Sequence, residues 1–198
     1  MDRSRVGELH YITSITNLTS IVERGLLSHI RAASLPHKSV AMESVQDRRR
    51  GKRVPNGGLL HSYANLYFDA RNPMMYRLFN QEARRDLIVI RISNAVLDLP
   101  DAVLTDGNAA AGTTRFFDSP TGLKYLDESR IYAESWNYAD PFEKAERKRQ
   151  RCAEMLIPEF VSPDHIVGCY TLNQEHLATC VDADPHWKVE VNRNVYFR

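Results

Sequence analysis

The chain has 198 residues, enough for one domain that buries roughly 70% of its unfolded surface. Its 26 Lys and Arg nearly cancel its 25 Asp and Glu to a formal +1, so any attraction to a polyanion must come from local clusters. Three cysteines without a C-x-x-C spacing exclude a disulfide framework and a zinc ribbon, and no apolar run reaches the roughly 18 residues of a membrane span or forms the h-region of a secretion signal. The expectation is a single domain over residues 1–198, cytoplasmic, without a membrane segment.

In chain order, "LHYI" predicts a short strand. "TNLTSIVERG" predicts a short helix capped by Thr16 and Asn17, with Leu18, Ile21 and Val22 at helical spacing and Gly25 as its stop. Residues 28–58, polar, basic and turn-rich, read as a long loop with room for one helical turn; loops of that length are usually functional or disordered. "NPMMYRLFNQEA" predicts a helix capped by Asn72 with Pro73 at its first position, and "DLIVIRI" a buried strand. A charged helix, "DPFEKAERKRQR", opens on an Asp-Pro cap and runs directly into the strand "CAEMLIP"; "HIVGCYTL" is a further strand, and "HWKVEVNRNVYF" suggests a last edge pair. Short strands with helices in irregular order describe an α+β fold.

Glu154 is the most informative single residue. Strand alternation puts Cys152, Glu154 and Leu156 on one face, isolating a carboxylate among apolar neighbours; the competing reading is an edge-strand glutamate facing solvent. Arg48, Arg49, Arg50, Lys52 and Arg53 place five cations in six positions, enough to neutralise a few phosphates, although such runs are commonly solvated loops. In "LYFDARNPMMY", Tyr67 and Arg71 suit a stacked ring and an anion above an apolar floor of Pro73, Met74 and Met75; the structural alternative is an Asp69–Arg71 pair bridging a strand end and a helix start. His10 lies mid-strand, where a lone histidine is more often a core group than a ligand. The histidines show no metal spacing, and no dinucleotide, Walker, nucleophile-elbow or kinase signature is present.

Taken in order, "ELHYITSITNLTSIVERGLLS", "VQDRRRGKRVPNGG", "LHSYANLYFDARNPMMY", "TDGNAA" with "TRFF", and "AEMLIP" resemble the DarT family of DNA ADP-ribosyltransferase toxins over about residues 8–172. The resemblance implies an ADP-ribosyltransferase-like α+β fold, with split mixed sheets, peripheral helices and an NAD+ cleft. It also implies transfer of ADP-ribose from NAD+ to a base of single-stranded DNA, release of nicotinamide, no metal, and a macrodomain antitoxin, DarG, as partner to a monomeric toxin.

By the same resemblance, His10, Tyr11 and Ile12 match the first-strand NAD+ motif, with Ile12 where the family often has Thr. Asn17 and Leu27 line the same cleft, and Tyr67, Arg71 and Met74 match the group near the nicotinamide ribose and pyrophosphate. Glu154 matches the catalytic glutamate, where a carboxylate stabilises positive charge developing on the ribose. Arg48 or Arg49 matches the arginine assigned to acceptor activation; a guanidinium is a poor base, so its role reads as holding charge. Arg50, Lys52, Arg53 and Asn108 are the expected nucleic-acid contacts, and Asn108, where thymine-modifying members tend to carry histidine, inclines the base slightly to guanine over thymine. Two alternatives stay open: a catalytically inactive nucleic-acid-binding module of the same fold, and an enzyme acting on RNA or protein.

Overall fold

The computed structural model describes residues 1–80 and 85–197. The predicted N-terminal strand and helix form as β1, Glu8–Ser14, and α1, Leu18–Arg24, with β2, Leu26–Leu27, directly after. Gly25 separates them at φ 76°, where a Cβ would run into the carbonyl of Val161, so the stop is both conformational and steric. Asn17 does not cap α1 with its side chain. It bonds instead to Thr13 Oγ1 at 3.0 Å and brackets Lys38, donating to the Lys38 carbonyl at 2.9 Å and accepting its N–H at 2.8 Å.

The stretch read as a long loop contains two helices, α2, His29–Ala32, and α3, Glu43–Arg50. The two-turn α3 carries no apolar stripe, so periodicity has nothing to detect, and its tie to the interior is one arginine. Next come β3, Tyr63–Tyr67, and α4, Pro73–Phe79. Asn72 caps α4 as expected, its buried Oδ1 accepting the N–H groups of Met74 (2.9 Å) and Met75 (3.1 Å). Residues 81–83, the end of the predicted helix, lie outside the described residues.

The buried run forms β4, Leu87–Ser93, followed by β5, Val103–Thr105, β6, Phe116–Asp118, and α5, Glu128–Ile131. The charged helix is α6, Pro141–Gln150, capped by Asp140 through the Glu143 N–H at 2.8 Å. It leads into β7, Glu154–Pro158, then β8, Phe160–Val161, β9, Ile166–Thr171, α7, Gln174–Ala183, and β10, Lys188–Val191. The expected C-terminal edge pair is one strand, because after β10 the chain tightens into a helical turn that buries Tyr196, whose hydroxyl donates to the Tyr170 carbonyl at 2.7 Å. No helix among the described residues is long and apolar enough to cross a membrane.

Eight strands join in the order β10-β9-β4-β1-β3-β7-β5-β6, and β2 pairs β8 in a second, two-stranded sheet. β9 and β10 are parallel and the other neighbours antiparallel, so the sheet is mixed. β1 pairs β4 along its whole length but meets β3 only at His10 and Tyr67. The expected split is therefore a pinch within one sheet. Beyond it, Ile12 and Thr13 of β1 and Asn65 and Tyr63 of β3 are unpaired with each other and face a common cleft. One side of the sheet buries Leu9, Ile90, Ile92, Met155 and Ile157; the other buries Ile12, Tyr67, Val89 and Met75.

Candidate active site

Register alone puts three chemistry-bearing residues in one row. His10 is opposite Tyr67 across β1 and β3, and Tyr67 is opposite Glu154 across β3 and β7, so all three side chains share a face of the pinched sheet. Tyr67 is buried, with its hydroxyl 3.2 Å from Met74 Sδ. Burial, and after it the neighbouring Glu154 charge, push its phenol well above the usual range, so it is a neutral donor.

Glu154 is wholly buried, which rules out a solvent-facing edge glutamate: β7 runs between β3 and β5. Arg49 Nη1 donates to both of its carboxylate oxygens, at 3.1 and 3.0 Å, and the Ala109 N–H donates to Oε1 at 2.9 Å. The Glu154 backbone is held by Thr105, whose Oγ1 accepts its N–H at 3.0 Å and donates to the Gly107 carbonyl at 2.7 Å. Successive residues of a helix point about 100° apart, so of three adjacent arginines one can turn inward. Arg49 does; Arg48 and Arg50 are exposed, and Arg50 pairs with Asp47 at 3.0 Å.

His10 is nearly buried beside a charged cluster. Its Nε2 is 3.1 Å from Glu8 Oε1, which also accepts the Tyr170 hydroxyl at 2.7 Å, while Arg91 Nε donates to Glu8 Oε2 at 2.9 Å. Burial opposes the Glu8 carboxylate, but the bonds from His10, Tyr170 and Arg91 outweigh it and hold the group at about 2.

The cleft encloses about 1440 Å³. Tyr11, Ile12, Asn17, Leu27, Arg48, Arg49, Tyr67, Arg71, Met74 and Asn108 face it, with Glu154 directly behind Arg49. His10, Arg50, Lys52 and Arg53 do not line it. Lys52 Nζ is held by the Ala111 carbonyl at 2.5 Å, and Arg53 by the Gly57 carbonyl at 3.0 Å. Asn108 Oδ1 accepts the Ala110 N–H at 2.8 Å, shaping the loop above Glu154.

The charges of residues 66–76 are not each other's partners. Asp69 accepts the Arg71 backbone N–H at 2.8 Å, but its carboxylate pairs with the buried Arg151 at 2.8 Å. The Arg71 guanidinium lies 4.0 Å from the Phe197 ring centroid, and its buried Nη1 has no hydrogen-bond partner among the described residues. A buried guanidinium donor without an acceptor fits a diphosphate such as that of NAD+, and His10 Nδ1 is likewise buried and unpartnered.

Sequence reasoning passed over several cleft residues. The His29 and His61 rings lie 4.1 Å apart, tilted by 32°, and burial first, then neighbouring positive groups, lowers the pKa of both. Trp136, Arg149 and Phe197 also line the cleft, from segments in which no motif marks them as site residues. The Cys152 thiol is pushed up to about 12 by burial and by Glu154, so it is no nucleophile. Among the described residues no group of three His, Cys, Asp or Glu side chains is placed to hold a metal.

A family model described as "DarT: ssDNA thymidine ADP-ribosyltransferase, DarT" matches residues 10–197. A DNA ADP-ribosyl transferase–DNA ADP-ribosyl glycohydrolase fusion protein of Thermosipho africanus is 35% identical over 176 residues; the match covers 86% of this chain but 44% of that protein, so the chain spans about half of that relative's length. Among solved structures, Thermus sp. 2.9 DarT in complex with ADP-ribosylated ssDNA superposes with a TM-score of 0.81 at 28% identity, covering 96% of each chain. The same protein in complex with NAD+ gives 0.79 at 25% identity, covering 96% of this chain and 98% of that one.

Proposed function

The chain belongs to the DarT family, and we propose that it transfers ADP-ribose from NAD+ to a base of single-stranded DNA, releasing nicotinamide. The observation that carries this reading is the buried Arg49–Glu154 pair set behind a cleft large enough for a dinucleotide, in register with Tyr67 and His10. The Thermus relative's complexes with NAD+ and with ADP-ribosylated ssDNA support it.

Bound NAD+ supplies an activated glycosidic bond between nicotinamide and ribose. Glu154, fixed by Ala109 and Thr105, presents a carboxylate to the positive charge that develops as that bond weakens; such preorganised electrostatics is commonly worth about 3 kcal/mol. Arg49 orients that carboxylate and holds positive charge where the acceptor arrives. Arg71 takes the diphosphate, Tyr67 and Met74 form the wall beside the ribose, and Tyr11, Ile12, Asn17 and Leu27 shape the rest of the cofactor cleft. Arg48 and Asn108, also on the cleft, contact the DNA, with Arg50, Lys52 and Arg53 adding charge outside it.

Asn108 inclines the acceptor to guanine, whereas the matched family description carries thymidine. The fused glycohydrolase of the Thermosipho relative supports a partner that removes the modification, as in a toxin–antitoxin pair.

Mass spectrometry of oligonucleotides carrying a single dG or a single dT, after incubation with NAD+, tests the reading directly. An added ADP-ribose on DNA with wild type and none with Glu154→Ala is expected. Unchanged DNA masses and no nicotinamide release would leave an inactive binding module; modification of RNA or protein in parallel reactions would move the acceptor.

A further inference from the structure

Three rings from distant segments meet at one corner of the cleft: Tyr76 on α4, Trp136 in the connection between α5 and α6, and Phe197 at the C-terminus. Each pair is edge-to-face, with centroids 5.7 Å apart for Tyr76–Trp136, 5.2 Å for Tyr76–Phe197 and 6.0 Å for Trp136–Phe197, at interplanar angles of 79°, 76° and 80°. Three mutually near-perpendicular planes make the inside corner of a box. A flat ring laid on one of them meets another at its edge, which is the arrangement aromatic quadrupoles favour. Phe197 already carries the Arg71 guanidinium, while Tyr76 is half exposed.

Charge beside the corner identifies the occupant. On α6, Arg147 is tied to Glu143, and Arg149 to Glu146 and Asp106. Lys144 and Lys148, one turn apart on the same helix, are exposed, line the same cleft and form no ion pair among the described residues. A dinucleotide has one diphosphate, for which Arg71 is already placed. Two free cations along an open rim suit a strand with a phosphate at every nucleotide.

We propose that the Tyr76–Trp136–Phe197 corner, flanked by Lys144 and Lys148, stacks a nucleobase of the single-stranded DNA next to the base being modified. The inference rests on the DNA-modifying reading and adds a second contact to it, since stacking platforms combined with a cationic track are the usual grip on single strands.

The test is fluorescence anisotropy of a labelled single-stranded oligonucleotide without NAD+, alongside calorimetric titration with NAD+. Trp136→Ala is expected to raise the oligonucleotide Kd about tenfold or more, and Trp136→Phe to restore most of it. Lys144→Gln with Lys148→Gln should flatten the slope of log Kd against log salt by about 1 to 2. Circular dichroism and melting establish that each variant is folded; if Trp136→Ala is not, Tyr76→Ala, on an exposed ring, takes its place. Oligonucleotide affinity unchanged in both ring variants, with wild-type binding intact, overturns the corner and leaves the enzyme reading standing. A loss confined to NAD+ affinity would assign the corner to adenine and equally overturn it. Wild type that binds no single-stranded DNA sinks both.

Discussion

Arg49 and Glu154, 105 positions apart, meet in the interior: one guanidinium nitrogen bridges both carboxylate oxygens at 3.1 and 3.0 Å, and neither side chain is more than 6% exposed. A pair closed off this far from water cannot lose one partner cheaply, because the survivor is left as an uncompensated buried charge.

Arg49→Ala is therefore expected to be a double lesion. Unfolding in urea should show a loss of about 3 kcal/mol, and oligonucleotide modification should fall by at least about 100-fold. Glu154→Gln is the milder lesion, since the amide oxygen still accepts from Arg49 and Ala109 while the charge and the second acceptor are lost. Its rate should fall as far while its stability falls by about half as much. Equal modification rates in Glu154→Gln and wild type would remove Glu154 from the chemistry.

Arg71 should behave differently, because its free Nη1 and its stack on Phe197 serve the cleft more than the core. Arg71→Ala is expected to weaken NAD+ binding roughly 10- to 100-fold, as for a charged hydrogen bond, with a melting temperature within a few degrees of wild type. A large melting loss with unchanged NAD+ affinity would return the residue to a purely structural role.

Arg151 is the structural counterpart. Nearly fully buried, it donates to the Asp69 carboxylate at 2.8 Å and to the carbonyls of Arg71, Ile131 and Ala133, tying the cleft wall to the start of β7. Arg151→Ala should cost about 3 to 5 kcal/mol, and Asp69→Asn about 2, both read from denaturant midpoints at constant m. Stability equal to wild type in Arg151→Ala would show that the wall stands without it.

The Glu8 carboxylate, held at about 2 against an ordinary 4.5, makes a pH-dependent contribution. A depressed carboxylate stabilises the fold fully above its unfolded value and loses that contribution as pH falls through its folded value, so the window runs from about 4.5 down to about 2. Glu8→Gln should cost about 2 kcal/mol at pH 7 and progressively less below pH 4.5, with the two melting curves converging near pH 2. A gap that stays constant over that range would mean that the carboxylate's charge is not what matters.

Local patterns were enough for the α4 cap by Asn72 and Pro73, the Asp140 cap of α6, the stop at Gly25, the buried β4 run and the isolation of Glu154 on its strand, because each depends on residues within a few positions. The ordered motif blocks also carried the family. The helix α3 was hidden because eight residues with three consecutive arginines have no apolar face, and what holds it is a charge partner 105 positions away. For the same reason the sequence could not choose between Arg48 and Arg49, nor foresee that Asp69 pairs with Arg151 rather than with its neighbour Arg71. The His10–Tyr67–Glu154 row and the aromatic corner exist only once strand register and chain ends are in place. Sequence by itself determined which residues are able to do the chemistry; the tertiary structure decided which of them meet, since buried charges and rings select partners by distance in space and not along the chain.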